Sequence, residues 1–271
     1  MSRAVAQRAN RDGFVKPGEL VDIRAGAELS LQDRRVFNLL IEHAWPEIAE
    51  DKPHKIALFR LRGPRHKGAE RVADSIKTLM TTLVEVPTRL DGEPAIFATQ
   101  LLGETTRMID EDSPNAMLVY SFPKGLRRII VDSHHWGRIK AYVMFAFSSK
   151  YALALYEAVC LRGNLRANEQ IITVETLRDL IGVERGKLEQ PFNLKKWAID
   201  PAVTEVNALS DFNVEIEPIR HGGLVRGRLT GFRLTWERKT REEWAAVLDE
   251  LSRTKLGRRA RIRGTVEQIV G

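Results

Sequence analysis

The chain has 271 residues, of which 43% are hydrophobic, so it can bury the core of one large domain or of two ordinary ones. Its 43 Lys and Arg residues outnumber its 36 Asp and Glu residues, and the formal net charge of +7 favours polyanionic partners. The single cysteine, Cys160, excludes an intramolecular disulfide and fits a reducing cytoplasm, and no stretch of about 20 predominantly apolar residues predicts a membrane span.

The N-terminal segment reads as a basic arm in front of a first helix. Residues 1–18 are polar and basic without periodicity, and they lack the apolar segment of a secretory signal. We therefore expect a flexible arm that ends in a turn at 16–18. Ser30 then predicts the N-cap of a helix that continues to Trp45.

The segment after this helix predicts a strand, a second helix and a sheet. The strand covers 55–61, and the second helix buries a stripe formed by Val72, Ile76, Leu79 and Leu83. Asp91-Gly92 is a strong hairpin signal. It is predicted to join strands at 84–90 and 95–101. A third strand, at 117–122, is expected to complete their sheet. A further helix is predicted at 124–131, before a linker at 132–135.

The second half repeats the order of helices followed by a hairpin. Ser148 or Ser149 caps a helix with an apolar face, and Thr173 caps a short helix that ends at Gly182. A longer helical segment spans 191–209 and buries residues four apart, namely Leu194, Ala198, Ala202 and Val206. Pro201 within it suits either the first turn of a helix capped by Asp200 or a kink.

Strand-like alternation at 212–217 and 232–236, with Gly222-Gly223 between them, predicts a second hairpin. Three helices and a hairpin are the elements of a winged helix, and the chain contains this order twice. The predicted fold class is α+β, mostly α, with two tandem winged-helix (helix-turn-helix variant) domains, a C-terminal helix and a basic tail. The predicted divisions are the arm 1–18, an N-terminal domain 19–135, a C-terminal domain 136–238, and the helix and tail 239–271.

Four blocks of the second half, in order, carry a specific resemblance: residues 149–157, 173–183, 194–207 and 227–234. They resemble the C-terminal winged helix of iteron-binding plasmid replication initiators of the Rep_3 type. The N-terminal domain resembles that family only in its order of elements. Trp197 and Leu194 depart from the pattern, where a basic residue and an aromatic one are expected.

The resemblance implies a bacterial plasmid initiator that works in the cytoplasm, at the plasmid or nucleoid. It would bind repeated sites (iterons) in double-stranded DNA at an origin, promote duplex opening and recruit host replication proteins, the host initiator and helicase. It implies a monomer on iterons and a homodimer that binds an operator and represses its own gene. A winged-helix transcriptional repressor without an initiation role remains an alternative.

The predicted DNA-binding residues of the second domain lie on the 191–209 segment, just before it, and on the hairpin. They are Lys187, Asn193, Lys195, Lys196, Thr204, Asn207, Arg220, His221, Arg226 and Arg228. Burial of the four-apart stripe turns Lys196, Thr204 and Asn207 outward, where Lys and Asn can read base edges in a major groove. A basic hairpin tip suits phosphates or the minor groove. The alternatives are an ordinary solvated helix face and an ordinary basic loop.

Further basic residues suggest additional contact surfaces. Those of the N-terminal domain are Arg65, His66, Lys67, Arg71 and Lys77, for which a solvated loop is the alternative. In the C-terminal segment, Thr240 and Glu243 predict a capping box for a helix that docks in cis. Six basic residues within 253–263 then suggest either a disordered phosphate-binding arm or a solvated tail.

Enzymatic chemistry is not expected, because the sequence lacks phosphate-loop, metalloprotease, paired-cysteine and nucleophile-elbow motifs. His134-His135 lacks a clear third metal ligand, and 110–112 reads as an acidic loop, so no cofactor and no metal are predicted. A structural or RNA-binding protein with a basic surface remains a rival, as does an enzyme that depends on a metal or a nucleotide.

Overall fold

A computed structural model describes residues 3–21, 29–62, 70–223 and 227–265, and divides the chain into two units between Ala141 and Tyr142. The predicted boundary at 135/136 is therefore too early. The strand that follows it, Trp136–Ile139, pairs with the N-terminal strand Phe14–Pro17 and belongs to the first unit.

The described helices and strands of the first unit, in chain order, are β1 (Phe14–Pro17), α1 (Leu31–Ala44), β2 (His54–Ala57), α2 (Glu70–Thr81), β3 (Leu83–Leu90), β4 (Glu93–Gln100), β5 (Thr105–Arg107), β6 (Met117–Tyr120), α3 (Lys124–Asp132) and β7 (Trp136–Ile139). A 3₁₀ turn at Leu58–Leu61 follows β2, so the observed strand is shorter than the predicted one. Helix α1, strand β2, helix α2 and the hairpin of β3 and β4 follow one another in the order of a winged helix.

Helices α1 and α2 pack together in the core of the first unit. A capping box between Ser30 and Asp33 starts α1 as predicted, because each residue's side chain accepts a hydrogen bond from the other's backbone N–H. Three of the four stripe residues predicted for α2 are buried, but Leu83 is 50% exposed. The helix ends at Thr81, and Leu83 is the first residue of β3.

The hairpin of β3 and β4 turns at Asp91 and Gly92 as predicted, and both residues have positive φ, 52° and 89°. This is the backbone that a two-residue primed turn requires. The expectation that 117–122 completes this sheet is wrong. Strand β6 pairs instead with β2 and β5, because its alternate residues Leu118 and Tyr120 are buried in the core.

The predicted flexible arm is wrong for its described part, residues 3–18. Strand β1 is antiparallel to β7, and Lys16 within it is 1% exposed. Ahead of the strand, the Ala4 N–H donates to the Ser133 carbonyl (2.8 Å), and the Trp45 indole donates to the Gln7 carbonyl (2.8 Å). Strand pairing and these hydrogen bonds tie the segment to residues of the first unit, so it packs as part of the unit.

The remaining elements, in chain order, are α4 (Ala141–Ala146), α5 (Lys150–Arg162), β8 (Glu169–Ile172), α6 (Val174–Ile181), α7 (Pro191–Leu194), α8 (Asp200–Leu209), β9 (Phe212–Arg220), β10 (Leu229–Arg238), α9 (Arg241–Ser252) and α10 (Arg258–Ile262). Strands β8, β10 and β9 form one antiparallel sheet in that order. The succession from α5 to β10 is a winged helix. Ser149 caps α5, Thr173 caps α6, and Gly182 ends α6 with φ 71°, all as predicted.

Gly231 allows the close packing of β10 on the end of β8. A Cβ at this position would lie 2.5 Å from the Ile172 carbonyl oxygen, nearer than a side chain can approach. Along β10, Phe232, Leu234 and Trp236 are buried as predicted, while Arg233 between them is exposed. The sheet therefore has one apolar face against the helices and one polar outer face.

Two histidines lie against the buried Tyr120 in the first unit. The Tyr120 hydroxyl donates to the Leu40 carbonyl (2.9 Å) and lies 2.9 Å from His43 Nδ1. The His54 ring centroid is 5.4 Å from that of Tyr120, and among the described residues its Nε2 has no hydrogen-bond partner. Burial lowers the pKa of both histidines; Arg60 adds to the effect at His43, and His43 adds to it at His54.

These shifts predict that the first unit loses stability in acid. Both folded-state pKa values lie below the unfolded value of about 6.5, so the unfolded chain binds more protons as the pH falls below about 6.5. Protection of first-unit amides from hydrogen exchange should therefore decrease from pH 7 to pH 5. A His43→Gln/His54→Gln double variant should show a shallower decrease, and His221→Gln, at an exposed site, should match wild type. Equal pH dependence in all three chains would contradict this account.

Candidate nucleic-acid interface

The segment 191–209 is one continuous helical stretch with a π turn in its middle, and we call it the third helix. The π turn covers Lys195–Ile199, between α7 and α8, and the Asp200 N–H donates to the carbonyl of Lys195, five residues back. Pro201 follows at once and has no N–H to donate, so the wider turn occurs where a regular α-helical hydrogen bond could not form. The predicted irregularity at Pro201 is this turn. Asp200 makes no cap, since its carboxylate pairs with Lys195.

The π turn also explains the spacing of the buried stripe. Leu194, Ala198, Ala202 and Val206 are each at most 1% exposed, as predicted. Residues four apart drift around a regular α-helix, which has 3.6 residues per turn. A turn that holds more residues reduces this drift, so that all four side chains point into the core.

The first half of the third helix exposes two lysines and two aromatic rings. Lys195 is tied to Asp200, whereas the Lys196 ammonium lies 5.7 Å from the Phe192 ring centroid and 4.7 Å from that of Trp197. Phe192 is 70% exposed and Trp197 58% exposed. Neither ring was predicted as a site residue; their exposure on a helix with a buried stripe is the signal that could have found them.

The second half of the third helix uses its polar residues within the unit. The Asn207 amide donates to the Val214 carbonyl (2.9 Å) and accepts from the Val214 N–H (2.7 Å). The Thr204 hydroxyl donates to the Asp200 carbonyl (2.8 Å). The geometry therefore gives Asn207 a structural role that was not predicted: it joins the helix to β9, and its amide is already occupied on both sides. Asn193, in the first half, is half-buried.

A buried carboxylate fixes the third helix to the start of α5. Glu205 is 7% exposed and accepts hydrogen bonds from both the backbone N–H (2.7 Å) and the hydroxyl of Ser148. Ser148 directly precedes Ser149, the N-cap of α5. Since α5 also packs along α8, this contact holds the helix from its inner side.

The turn that enters the third helix is organised by Arg178, a residue that sequence reasoning missed. Its guanidinium, on α6, donates to the carbonyls of Glu184 (3.3 Å), Lys187 and Leu188 (2.9 Å). These bonds hold a turn in which Leu188 has a positive φ of 51°. Lys187, a predicted DNA contact, is exposed in this turn.

The hairpin of β9 and β10 is the wing of this winged helix, and it carries the basic residues predicted for the hairpin at its tip. His221 and Arg228 are exposed, and Arg220 donates to the Gly227 carbonyl (3.0 Å). Arg226 lies outside the described residues. On the outer face of the sheet, Glu217 pairs in register with Arg233, next to an exposed Glu215. Cationic side chains therefore lie at the tip, whereas the outer face carries Glu215 and Glu217 beside Arg233.

Residues after β10 close the second unit. Lys239 donates to the carbonyls of Asn207 (2.6 Å), Ser210 (2.8 Å) and Phe212 (2.7 Å), which matches the three donors of an ammonium. Burial lowers the pKa of Lys239 to about 8, and Asp211 and Glu243 act in the opposite direction. The predicted capping box between Thr240 and Glu243 starts α9, which packs on α8 in cis as expected.

The described tail is not the disordered arm that its charge suggested. Arg261 makes a bidentate pair with Glu250 (2.6 and 2.9 Å), and the hydrogen bond from Arg261 is the main cause of the lowered pKa of Glu250. Arg258 is buried and donates to backbone carbonyls at the end of α9. Arg259 reaches the Ser148 hydroxyl (3.1 Å). Much of this basic charge is therefore used inside the unit.

The structure does not describe the side chains of most basic residues that were predicted as DNA contacts in the first unit. Arg65, His66 and Lys67 lie outside the described residues, and Arg71 belongs to α2 without a described side chain. Lys77 is exposed on α2. Arg62, which precedes the basic segment in sequence, is paired with Asp112 (3.4 Å) and donates to the Glu111 carbonyl.

Within the described ranges, no three His, Cys, Asp or Glu residues come together in a group able to hold a metal ion. The described helices also include none that is long and apolar enough to cross a membrane.

Two models of one protein family match the chain in succession. The model described as "Initiator Replication protein, WH1" matches residues 14–160, and the model described as "Initiator Rep protein, WH2" matches residues 173–239. The first alone covers more than half of the chain. None of the curated proteins compared with this sequence matches it.

A solved structure of low sequence identity shares the fold. The Pi initiator protein, determined in complex with iteron DNA, is 15% identical and superposes with a TM-score of 0.62 over 83% of this chain and 96% of that one. Two structures of RctB domains 2 and 3 give TM-scores of 0.45 and 0.41 at 9% and 10% identity, over 82% and 85% of this chain and 85% and 87% of theirs. At 15% identity the match to the Pi initiator shows the fold alone.

The Asn207 contact predicts a stability loss on truncation. Asn207→Ala should lower the free energy of unfolding of the second unit by about 2 kcal/mol, because the backbone N–H and carbonyl of Val214 both lose their hydrogen bonds to the Asn207 amide. Asn193→Ala, at a half-buried position on the same helix, should cost less than about 0.5 kcal/mol. Urea unfolding of both variants checks this, and equal losses would refute the structural role of Asn207.

Proposed function

The chain belongs to the initiator Rep protein family, and from this premise we propose that it is a plasmid replication initiator that binds repeated sites in double-stranded DNA at an origin. The observation that carries the proposal is the match of both family domains, in order, over residues 14–160 and 173–239. The Pi initiator, which shares this fold, is bound to iteron DNA in its structure. Its iteron binding extends to this chain as part of the proposal.

The geometry of the second unit supports a mode of binding. The third helix is held on its inner side by the buried stripe, Glu205 and Asn207, and its first half exposes Lys196. We propose that this half enters the major groove and that Lys187, Asn193 and Lys195 lie at the same interface. The wing residues Arg220, His221, Arg226 and Arg228 then contact phosphates or the minor groove.

Of the residues first predicted to read DNA, Asn207 and Thr204 take a supporting part in this proposal. Their polar groups bond within the unit, so they position the helix.

We also propose that the protein acts by binding and deforming the duplex, without bond chemistry, in the bacterial cytoplasm. Recruitment of the host initiator and helicase, autorepression by a homodimer and iteron binding by a monomer belong to the same proposal and rest on the family resemblance.

Footprinting on the replicon that encodes the chain tests the proposal. Several directly repeated protected sites at one origin are expected. A single palindromic site would favour a repressor without an initiation role. Equal affinity for random duplex and for the repeats, without an ordered footprint, would favour a non-specific nucleic-acid binder.

Two arginines of the hairpin form a matched pair for testing the wing. Arg228 is exposed at the tip, whereas Arg233 is exposed on the outer face opposite Glu217. Arg228→Gln should weaken binding to all sequences and make the slope of log affinity against log salt shallower by about 0.9, the loss of one phosphate contact. Arg233→Gln should leave the slope unchanged. If both variants gave the same slope of log affinity against log salt, the wing would not be part of the interface.

The first unit has its own test. If its basic residues Arg65 and Lys67 contact phosphates, neutralising both together should make the slope of log affinity against log salt shallower by about 1.8. Lys55→Gln, at an exposed position on β2, serves as the control of the same charge type. An unchanged slope in the double variant would restrict DNA contact to the second unit.

A further inference from the structure

Phe192, Lys196 and Trp197 form a cluster on the exposed side of the third helix, which we call the aromatic–lysine cluster. The Lys196 ammonium lies near both rings, 5.7 and 4.7 Å from their centroids. The helix is already anchored by its buried stripe, and both rings remain more than half exposed. Packing within the unit therefore does not account for two large aromatic side chains at these positions.

Exposed aromatic rings that lie together usually mark a contact surface. The charge around this cluster indicates which partner covers it. From 185 to 200 the chain carries four basic residues, Arg185, Lys187, Lys195 and Lys196, and two acidic ones, Glu189 and Asp200. The cluster also lies on the half of the helix proposed to enter the major groove. An anionic partner that continues the proposed interface, duplex DNA, fits both features.

The DNA group that suits the rings is the methyl of thymine, an apolar group on the major-groove edge of the base pairs. We infer that Trp197 and Phe192 are specificity-determining residues that contact thymine methyl groups. Lys196, held near both rings, donates to an adjacent base edge or phosphate. This inference rests on the proposed function and deepens it, because it assigns sequence preference to apolar contacts as well as to hydrogen bonds.

The test uses the full chain and the DNA sequence that it selects from a random duplex pool. Each thymine of that sequence is replaced in turn by uracil, which removes only the methyl group. Wild type should lose affinity about three- to fivefold at one or two positions, the loss expected for one buried methyl. In Trp197→Ala or Phe192→Ala the same replacement should cost nothing further, since the contact is already gone.

Ile171→Ala is the matched control, because Ile171 is a large apolar residue, 67% exposed, on β8 of the same unit. It should keep the full loss of affinity that uracil causes in wild type.

The inference is overturned if both aromatic variants keep the wild-type uracil profile, although sequence selection by the chain would still uphold the proposed function. A changed oligomeric state in Trp197→Ala with that profile intact would assign the cluster to a second copy of the chain instead. A chain that selects no sequence overturns both the inference and the proposed function.

Discussion

The fit of the third helix into its unit is the constraint on which the candidate interface depends. Four side chains spaced four apart, Leu194, Ala198, Ala202 and Val206, are fully buried. Residues four apart drift around a regular α-helix, and the π turn before Pro201 reduces that drift. The same turn determines which residues point outward, so the core and the exposed face are set together.

Hydrogen bonds around this helix reinforce its position. Glu205 bonds to Ser148 at the start of α5, Asn207 to Val214 on β9, and Lys239 to three carbonyls where α8 passes into β9. The tail extends this arrangement, because Arg259 also reaches Ser148. A side chain that reads bases must be held by a rigid support, and these bonds supply one. They also show that much of the positive charge near the C-terminus stabilises the unit.

Local signals in the sequence predicted the elements that local chemistry determines. The Ser30 cap, the Asp91-Gly92 turn, the end of α6 at Gly182 and the buried stripe all follow from neighbouring residues. The pairing of β1 with β7 could not be predicted, since its partners lie more than 100 residues apart and Lys16 looks like a surface residue. Asn207 shows the same limit at the site, because an amide that bonds to Val214 and one that reads a base are identical in sequence.

Methylation interference measures whether the second unit reads DNA from the major groove. Dimethyl sulfate modifies guanine N7 in the major groove and adenine N3 in the minor groove. N7 methylation at a fixed position within each repeat should block binding by the full chain, with adenine N3 effects confined to positions facing the wing. Interference confined to adenine N3, or none at any base, would contradict readout from the major groove.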